Sequence, residues 1–146
     1  MLVPMKIDYA LRFLVYLTMN KDKGLIKTTE ISDIQKIPHK FLLRISNDLQ
    51  KAGYVKSTRG PSGGHTLIKN SKEIIVSEII KLLDYTLSPV ECLDDEDKCM
   101  HSASCSQREL WKDVENVLIQ HLSSISVHDL SKRQLDLDTS KVAFVK

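Results

Sequence analysis

At 146 residues the chain fits a single domain with room for one appended element, such as a dimerisation helix, but not two full domains. No apolar run approaches the roughly 18 residues of a membrane span, no secretory leader is read at the start, and an odd set of 3 cysteines argues against a disulfide framework, so the expected address is the cytoplasm. The net charge of +2 hides a division: residues 1–72 hold 13 Lys and Arg against 5 Asp and Glu, whereas residues 73–146 hold 8 against 14, which suits the first half to a polyanion.

From Ile7, the apolar positions Ala10, Leu11, Leu14, Val15 and Leu17 keep helical spacing and predict a first helix, broken at "NKDKG". Thr29 reads as the N-cap of a short second helix that carries Ile31, Ile34 and Ile37 and ends at Pro38. Pro38 is tolerated in the first turn of a third helix, in which Phe41, Leu42, Ile45, Leu49 and Ala52 form the buried stripe and Gly53 supplies the stop. The stretch "YVKSTRGPSGGHTLI" then reads as a hairpin whose tip is Gly60-Pro61-Ser62-Gly63-Gly64. Three helices followed by a hairpin is the order of a winged helix-turn-helix. The expected fold is therefore mainly α with a small β-hairpin, extended by a long C-terminal dimerisation helix.

The chemistry of the third helix agrees with that topology. Opposite its apolar stripe stand Lys40, Leu43, Arg44 and Asn47, spaced three or four residues apart so that they project together. Arg44 and Asn47 have donors for base edges, Lys40 and Lys51 suit phosphates, and Arg59 lies beside glycines that let backbone approach a narrow minor groove. His39, at the helix start, joins the candidates. The glycine-rich tip lacks the Gly-Lys-Ser/Thr ending of a nucleotide cradle, and with 1 Trp, 4 Tyr and 3 Phe the chain lacks stacking platforms for single strands. Double-stranded DNA is the expected partner.

Beyond the hairpin, Val76, Ile79, Ile80 and Leu83 predict a fourth helix packed on the winged domain. Further on, Leu110, Trp111, Val114, Val117, Leu118, His121, Leu122 and Ile125 form a stripe near heptad spacing, more than one small domain can cover. A symmetric partner helix would cover it, so a homodimer is expected, with His121 at the interface or surface. The ending "QLDLDTSKVAFVK" has no clear period and is expected to fray. The anticipated division is a DNA-binding domain over 1–85, a cysteine loop over 86–106, a dimerisation helix over 107–132 and a tail over 133–146.

All three cysteines fall within "ECLDDEDKCMHSASC", as Cys92, Cys99 and Cys105. No two are close enough for the short knuckle of a structural zinc site, so the loop must wrap. Thiolates suit zinc or an iron–sulfur cluster, and three of them leave one position to fill, which His101 would complete in a zinc set. The run Asp94, Asp95, Glu96 and Asp97 reads as a solvated face that opposes thiolate formation and easy disulfide pairing. Reactive thiols without metal are a further alternative.

Taken together, the run from "KIDYALRFL" through "LLRISNDLQKAGYVKSTRGPSGGHTL" to the three cysteines and "LWKDV" resembles the IscR/NsrR family of bacterial iron–sulfur transcription regulators, over residues 5–132. The resemblance implies a homodimeric winged helix-turn-helix protein with crossed C-terminal helices. It also implies a 2Fe-2S or 4Fe-4S cluster on Cys92, Cys99 and Cys105, and places Lys40, Arg44, Arg59 and Ser62 on the recognition helix and wing. A family histidine three residues after the last cysteine is replaced here by Arg108, which cannot ligate. Asp8 matches the N-terminal aspartate that a partner subunit donates in nitric-oxide-sensing members, although an acidic residue at a helix start also suits the helix dipole.

The function so implied is a DNA-binding regulator, a repressor or dual regulator, whose promoter binding follows iron–sulfur status, redox state or nitric oxide. The alternative is an iron–sulfur or zinc carrier for redox or delivery, whose basic half binds an acidic protein. No Ser/His/Asp arrangement, paired-carboxylate pocket or cofactor loop is present in the sequence, so no enzyme is expected.

Overall fold

The computed structural model describes residues 3–143, with side chains described through residue 140. Helix α1 (Met5–Met19) buries Ile7, Ala10, Phe13, Leu14, Tyr16 and Leu17 and closes where the main-chain N–H and side-chain amide of Asn20 both reach the Tyr16 carbonyl. Helices α2 (Thr28–Gln35) and α3 (His39–Lys51) follow, separated by Lys36 in the left-handed region at φ 53°. Helix α3 ends at Gly53 (φ 77°), and the Tyr54 N–H turns back 2.9 Å to the Leu49 carbonyl, the Schellman closure that glycine makes easy.

Strands β1 (Val55–Thr58) and β2 (Gly64–Leu67) pair antiparallel, with Ser57 opposite His65. A third backbone segment joins them: the His65 N–H donates to the Ile26 carbonyl at 2.8 Å and its carbonyl accepts from the Ile26 N–H at 2.9 Å. Glycine is required beside this bridge, because a Cβ on Gly64 would lie 2.4 Å from the Ile26 oxygen. This is a winged helix-turn-helix. Helix α4 (Val76–Leu82) seals its core with Val76, Ile79 and Ile80.

Several local expectations are corrected. Helix α2 starts one residue before the anticipated cap: Lys27 is its N-cap, and Thr29 lies inside the first turn. Its end falls at Gln35 rather than Pro38, and of its apolar residues only Ile31 is buried, while Ile34 is exposed. Phe41 is not part of the buried stripe of α3. It is 44% exposed and meets Tyr9 edge-on at 5.9 Å, because Leu42, Ile45 and Leu49 already fill the face that points inward. Ala52 is half-buried.

The cysteine segment is more structured than a loop: a single turn α5 (Glu91–Asp94) and 3-10 turns at Glu96–Lys98 and Ser102–Ser104 lead to helix α6 (Ser106–Ser123). As far as Ala143 the ending is helical rather than frayed. Residues from Val127 to Ala143 form helix α7, which packs on α1; residues 144–146 of the anticipated tail lie outside the described residues. The physical reason is a capping box in "SVHD": the Ser126 hydroxyl accepts from the Asp129 N–H at 3.2 Å, and Asp129 Oδ2 accepts from the Ser126 N–H at 2.9 Å. Hydrogen bonds from the Ser126 side chain, then its backbone, hold the Asp129 carboxyl below its ordinary pKa. Ser126→Ala is expected to cost about 1 kcal/mol, read as a lower midpoint in thermal unfolding followed by circular dichroism.

Candidate DNA-binding cleft and cysteine segment

Between α3, the first turn of α2 and the hairpin lies an open cleft of about 770 Å³. His39, Arg44 and Asn47 reach it from α3, Arg59 from the wing, and Lys27 from the cap of α2. Among the described residues no carboxylate lines it. Four expected DNA-contacting residues, His39, Arg44, Asn47 and Arg59, are thus brought to one surface. Lys40 and Lys51 are exposed on α3 but do not line the cleft, and Ser62 is exposed at the hairpin tip, also outside the lining. Leu43, 45% exposed, does line it. Arg44 and Asn47 also border a smaller groove with Lys6, Phe41 and Asp48, where Lys6 Nζ lies 3.0 Å from Asp48 Oδ2.

Sequence reasoning missed the residues that fix this geometry. Gln50 Oε1 accepts from the Ser57 N–H at 2.9 Å, tying α3 to β1. His65, read only as the resumption of a strand, is buried, with Nε2 2.9 Å from Thr28 Oγ1 and Nδ1 2.8 Å from Ser57 Oγ. The Thr28 hydroxyl therefore serves His65 and not the cap of α2. No local signal marks these residues, because the partners of His65 and Ser57 come from other elements, α2 and α3.

Burial, and to a lesser degree the nearby His39, lowers the His65 pKa from its ordinary 6.5. The sign follows from linkage: the unfolded chain binds this proton more readily. The stability supplied by neutral His65 is complete above about 6.5 and is lost as pH falls from there to the lower folded-state value. Urea titrations across this interval are expected to show a midpoint falling with acidity, and His65→Gln is expected to flatten that slope.

In the second region, Cys92, Cys99 and Cys105 are free and half-buried. Cys105 is the N-cap of α6 and its Sγ lies 3.3 Å from Gln107 Oε1. The segment is strapped from α6: Arg108, only 16% exposed, donates from Nε to the Cys92 carbonyl at 3.2 Å and pairs with the Glu96 carboxylate. The Ser88 hydroxyl lies 2.6 Å from Asp94 Oδ1 and 2.7 Å from Glu115 Oε1, joining the segment to α6 again. Among the described residues Asp8 is ion-paired at 2.8 Å with Arg12 on its own helix, not joined to these thiols. His101 is exposed. No three His, Cys, Asp or Glu side chains among the described residues converge as a metal site.

Helix α6 buries no residue, and Leu110, Trp111 and Val117 of the heptad-like stripe are exposed. Its C-terminal end is anchored: the Val76 N–H donates to the Ile125 carbonyl at 3.0 Å and the Val127 N–H to the Ile74 carbonyl at 2.8 Å, so the α6–α7 junction is stitched to the winged body. No described helix is long and apolar enough to cross a membrane.

Comparison with known proteins bears on both regions. The profile of the Rrf2 family, described as "Iron-dependent Transcriptional regulator", matches residues 3–133. The HTH-type transcriptional regulator IscR of Photorhabdus laumondii is 32% identical over 132 residues, 90% of this chain and 80% of that protein. Among solved structures, CymR, the global cysteine regulator of B. subtilis, superposes with a TM-score of 0.73 at 27% identity, covering 91% of this chain and 98% of the other. T. potens IscR does so with a TM-score of 0.73 at 25% identity, covering 92% and 88%. With a winged domain, a basic cleft between recognition helix and wing, and a match that runs on through the cysteines, this chain belongs to the Rrf2 family of transcriptional regulators, DNA-binding proteins and not enzymes.

Proposed function

We propose that the chain represses transcription as a homodimer whose operator binding is set by an iron–sulfur cluster on Cys92, Cys99 and Cys105, with Asp8 of the second subunit as fourth ligand. The donor chemistry fits: three soft, unbridged thiols lie within one short segment, and Arg108 cannot take a ligand's place but can hold the segment in shape. A bound cluster would supply sensitivity to iron supply, oxidants and nitric oxide. Lys40, Lys51 and Ser62 would meet phosphates at the margins of the cleft, His39, Arg44 and Asn47 would face the major groove, and Arg59 the minor groove. Pairing of two α6 helices along Leu110, Trp111 and Val117 would remove an apolar stripe from water and set the spacing of the two recognition helices, near one helical turn of about 34 Å.

The observation that carries this reading is the continuous connection from the thiols to the winged body. Cys105 caps α6 (Ser106–Ser123), and just beyond the end of that helix main-chain bonds hold Ile125 to Val76 and Val127 to Ile74 at the start of α4. A change at the thiols therefore reaches the winged body through one rigid element, as two-state control of operator affinity requires. The test is anaerobic purification with iron and sulfide counts and a visible spectrum, followed by duplex binding before and after exposure to nitric oxide. Coloured protein whose operator affinity changes on bleaching supports the reading. Colourless protein with one zinc per chain, or serine replacement of all three cysteines without effect on operator affinity, defeats it.

A further inference from the structure

A two-stranded hairpin is at best marginally stable by itself in water, so the wing needs a brace if Arg59 is to be held at a fixed place relative to α3. The brace is polar and buried. His65 is 3% exposed, and its two ring nitrogens meet the hydroxyls of Thr28 on α2 and Ser57 on β1. The edge of Phe13 stands at 89° to its ring, with centroids 5.3 Å apart. A neutral imidazole has one donor and one acceptor, so one hydroxyl must give and the other receive, which orients both. From Ser57 the network continues through its N–H to Gln50 of α3, and from the His65 backbone to Ile26. One side chain thus ties α2 to both strands of the wing, and the Ser57 it holds is itself bonded through its N–H to α3; an aromatic hydrocarbon of similar size would fill the same volume without either hydroxyl bond.

Resting on the reading of this cleft as the DNA-binding surface, we propose that His65 is a positioning residue for DNA recognition: it fixes the angle of the wing against α2 and α3, and so the placement of Arg59, without touching the duplex. His65 belongs to the wall of the cleft, but at 3% exposure with both ring nitrogens already bonded it has no donor or acceptor left for a phosphate or base. Its effect on DNA must therefore pass through residues that are exposed, and Arg59 is the cation at the end of the strand it braces.

The test uses the full-length protein and a fluorescent duplex selected by that protein from a random pool. His65→Phe keeps a ring against Phe13 and removes both hydrogen bonds; Thr28→Val with Ser57→Ala keeps the imidazole and removes both partners, and is read in the same way should the first variant not fold. Either is expected to unfold cooperatively yet bind the duplex several-fold more weakly, with the slope of log affinity against log salt reduced to that of Arg59→Ala. Combined with Arg59→Ala, His65→Phe is expected to add less than a two-fold further loss. Penalties that multiply in the double variant, or an unchanged salt slope in His65→Phe, overturn the inference while leaving the cleft as the DNA surface. An Arg59→Ala protein that binds as well as wild type overturns the reading of the wing, and the inference with it.

Discussion

Arg44→Ala is expected to weaken operator binding by about 1–3 kcal/mol, roughly 5- to 150-fold, and to relax selectivity at a single base pair. The side chain is exposed on α3, forms no ion pair among the described residues, and borders both the main cleft and the groove beside Lys6, so its donors are not committed within the protein. An arginine in that position can offer two parallel donors to a guanine edge, and deleting it leaves those acceptors unmatched. Lys40→Ala provides the contrast. It lies outside the cleft lining, so its loss is expected to be smaller, uniform across sequences, and accompanied by a salt slope shallower by about one. Titrating both variants against the selected duplex and against single-base variants of it, at two salt concentrations, separates the two roles. Equal losses on every sequence for Arg44→Ala would remove it from base recognition.

Phe13→Ala is expected to lower the unfolding free energy by about 3–5 kcal/mol, a large share of the 5–15 kcal/mol typical of a whole domain. Phe13 is fully buried in the middle of α1, amid a core that includes Leu42, Ile45 and Ile79, and its ring also supports His65. The cavity would therefore open at the root of the wing as well as in the helical core. Urea denaturation at one fixed protein concentration checks the magnitude, since any self-association would contribute to apparent stability. A loss below 1 kcal/mol would mean that the core closes over the missing ring, and that the wing does not depend on it.

Much of the winged domain was legible because each of its signals is local. The 3.6-residue recurrence of Ala10, Leu14 and Leu17, the glycine after α3 and the glycine-rich tip of the hairpin each act within a few residues, and each appears where those rules place it. What escaped depends on neighbours distant in sequence. Phe41 has the spacing of a core residue, yet whether it is covered is decided by α1, which offers only the edge of Tyr9. His65 gives no local hint of burial, since Thr28 lies 37 residues away. The helical ending was a different kind of oversight: "SVHD" is a short-range signal, obscured by the weak apolar period of the residues that follow it. For the cysteines, spacing identifies the donor type but not the strap, because the bond from Arg108 to the Cys92 carbonyl spans 16 residues.

The stitched junction at Ile125 and Val127 makes α6 a lever with its fulcrum at the winged body and its far end at Cys105, joined to the cysteine segment. At 1.5 Å of rise per residue, its 18 residues span about 27 Å. A displacement of about 2 Å at the sulfur end thus corresponds to a swing of only about 4° at the pivot. Modest rearrangement among the thiols is therefore enough to tilt α6 against the winged body.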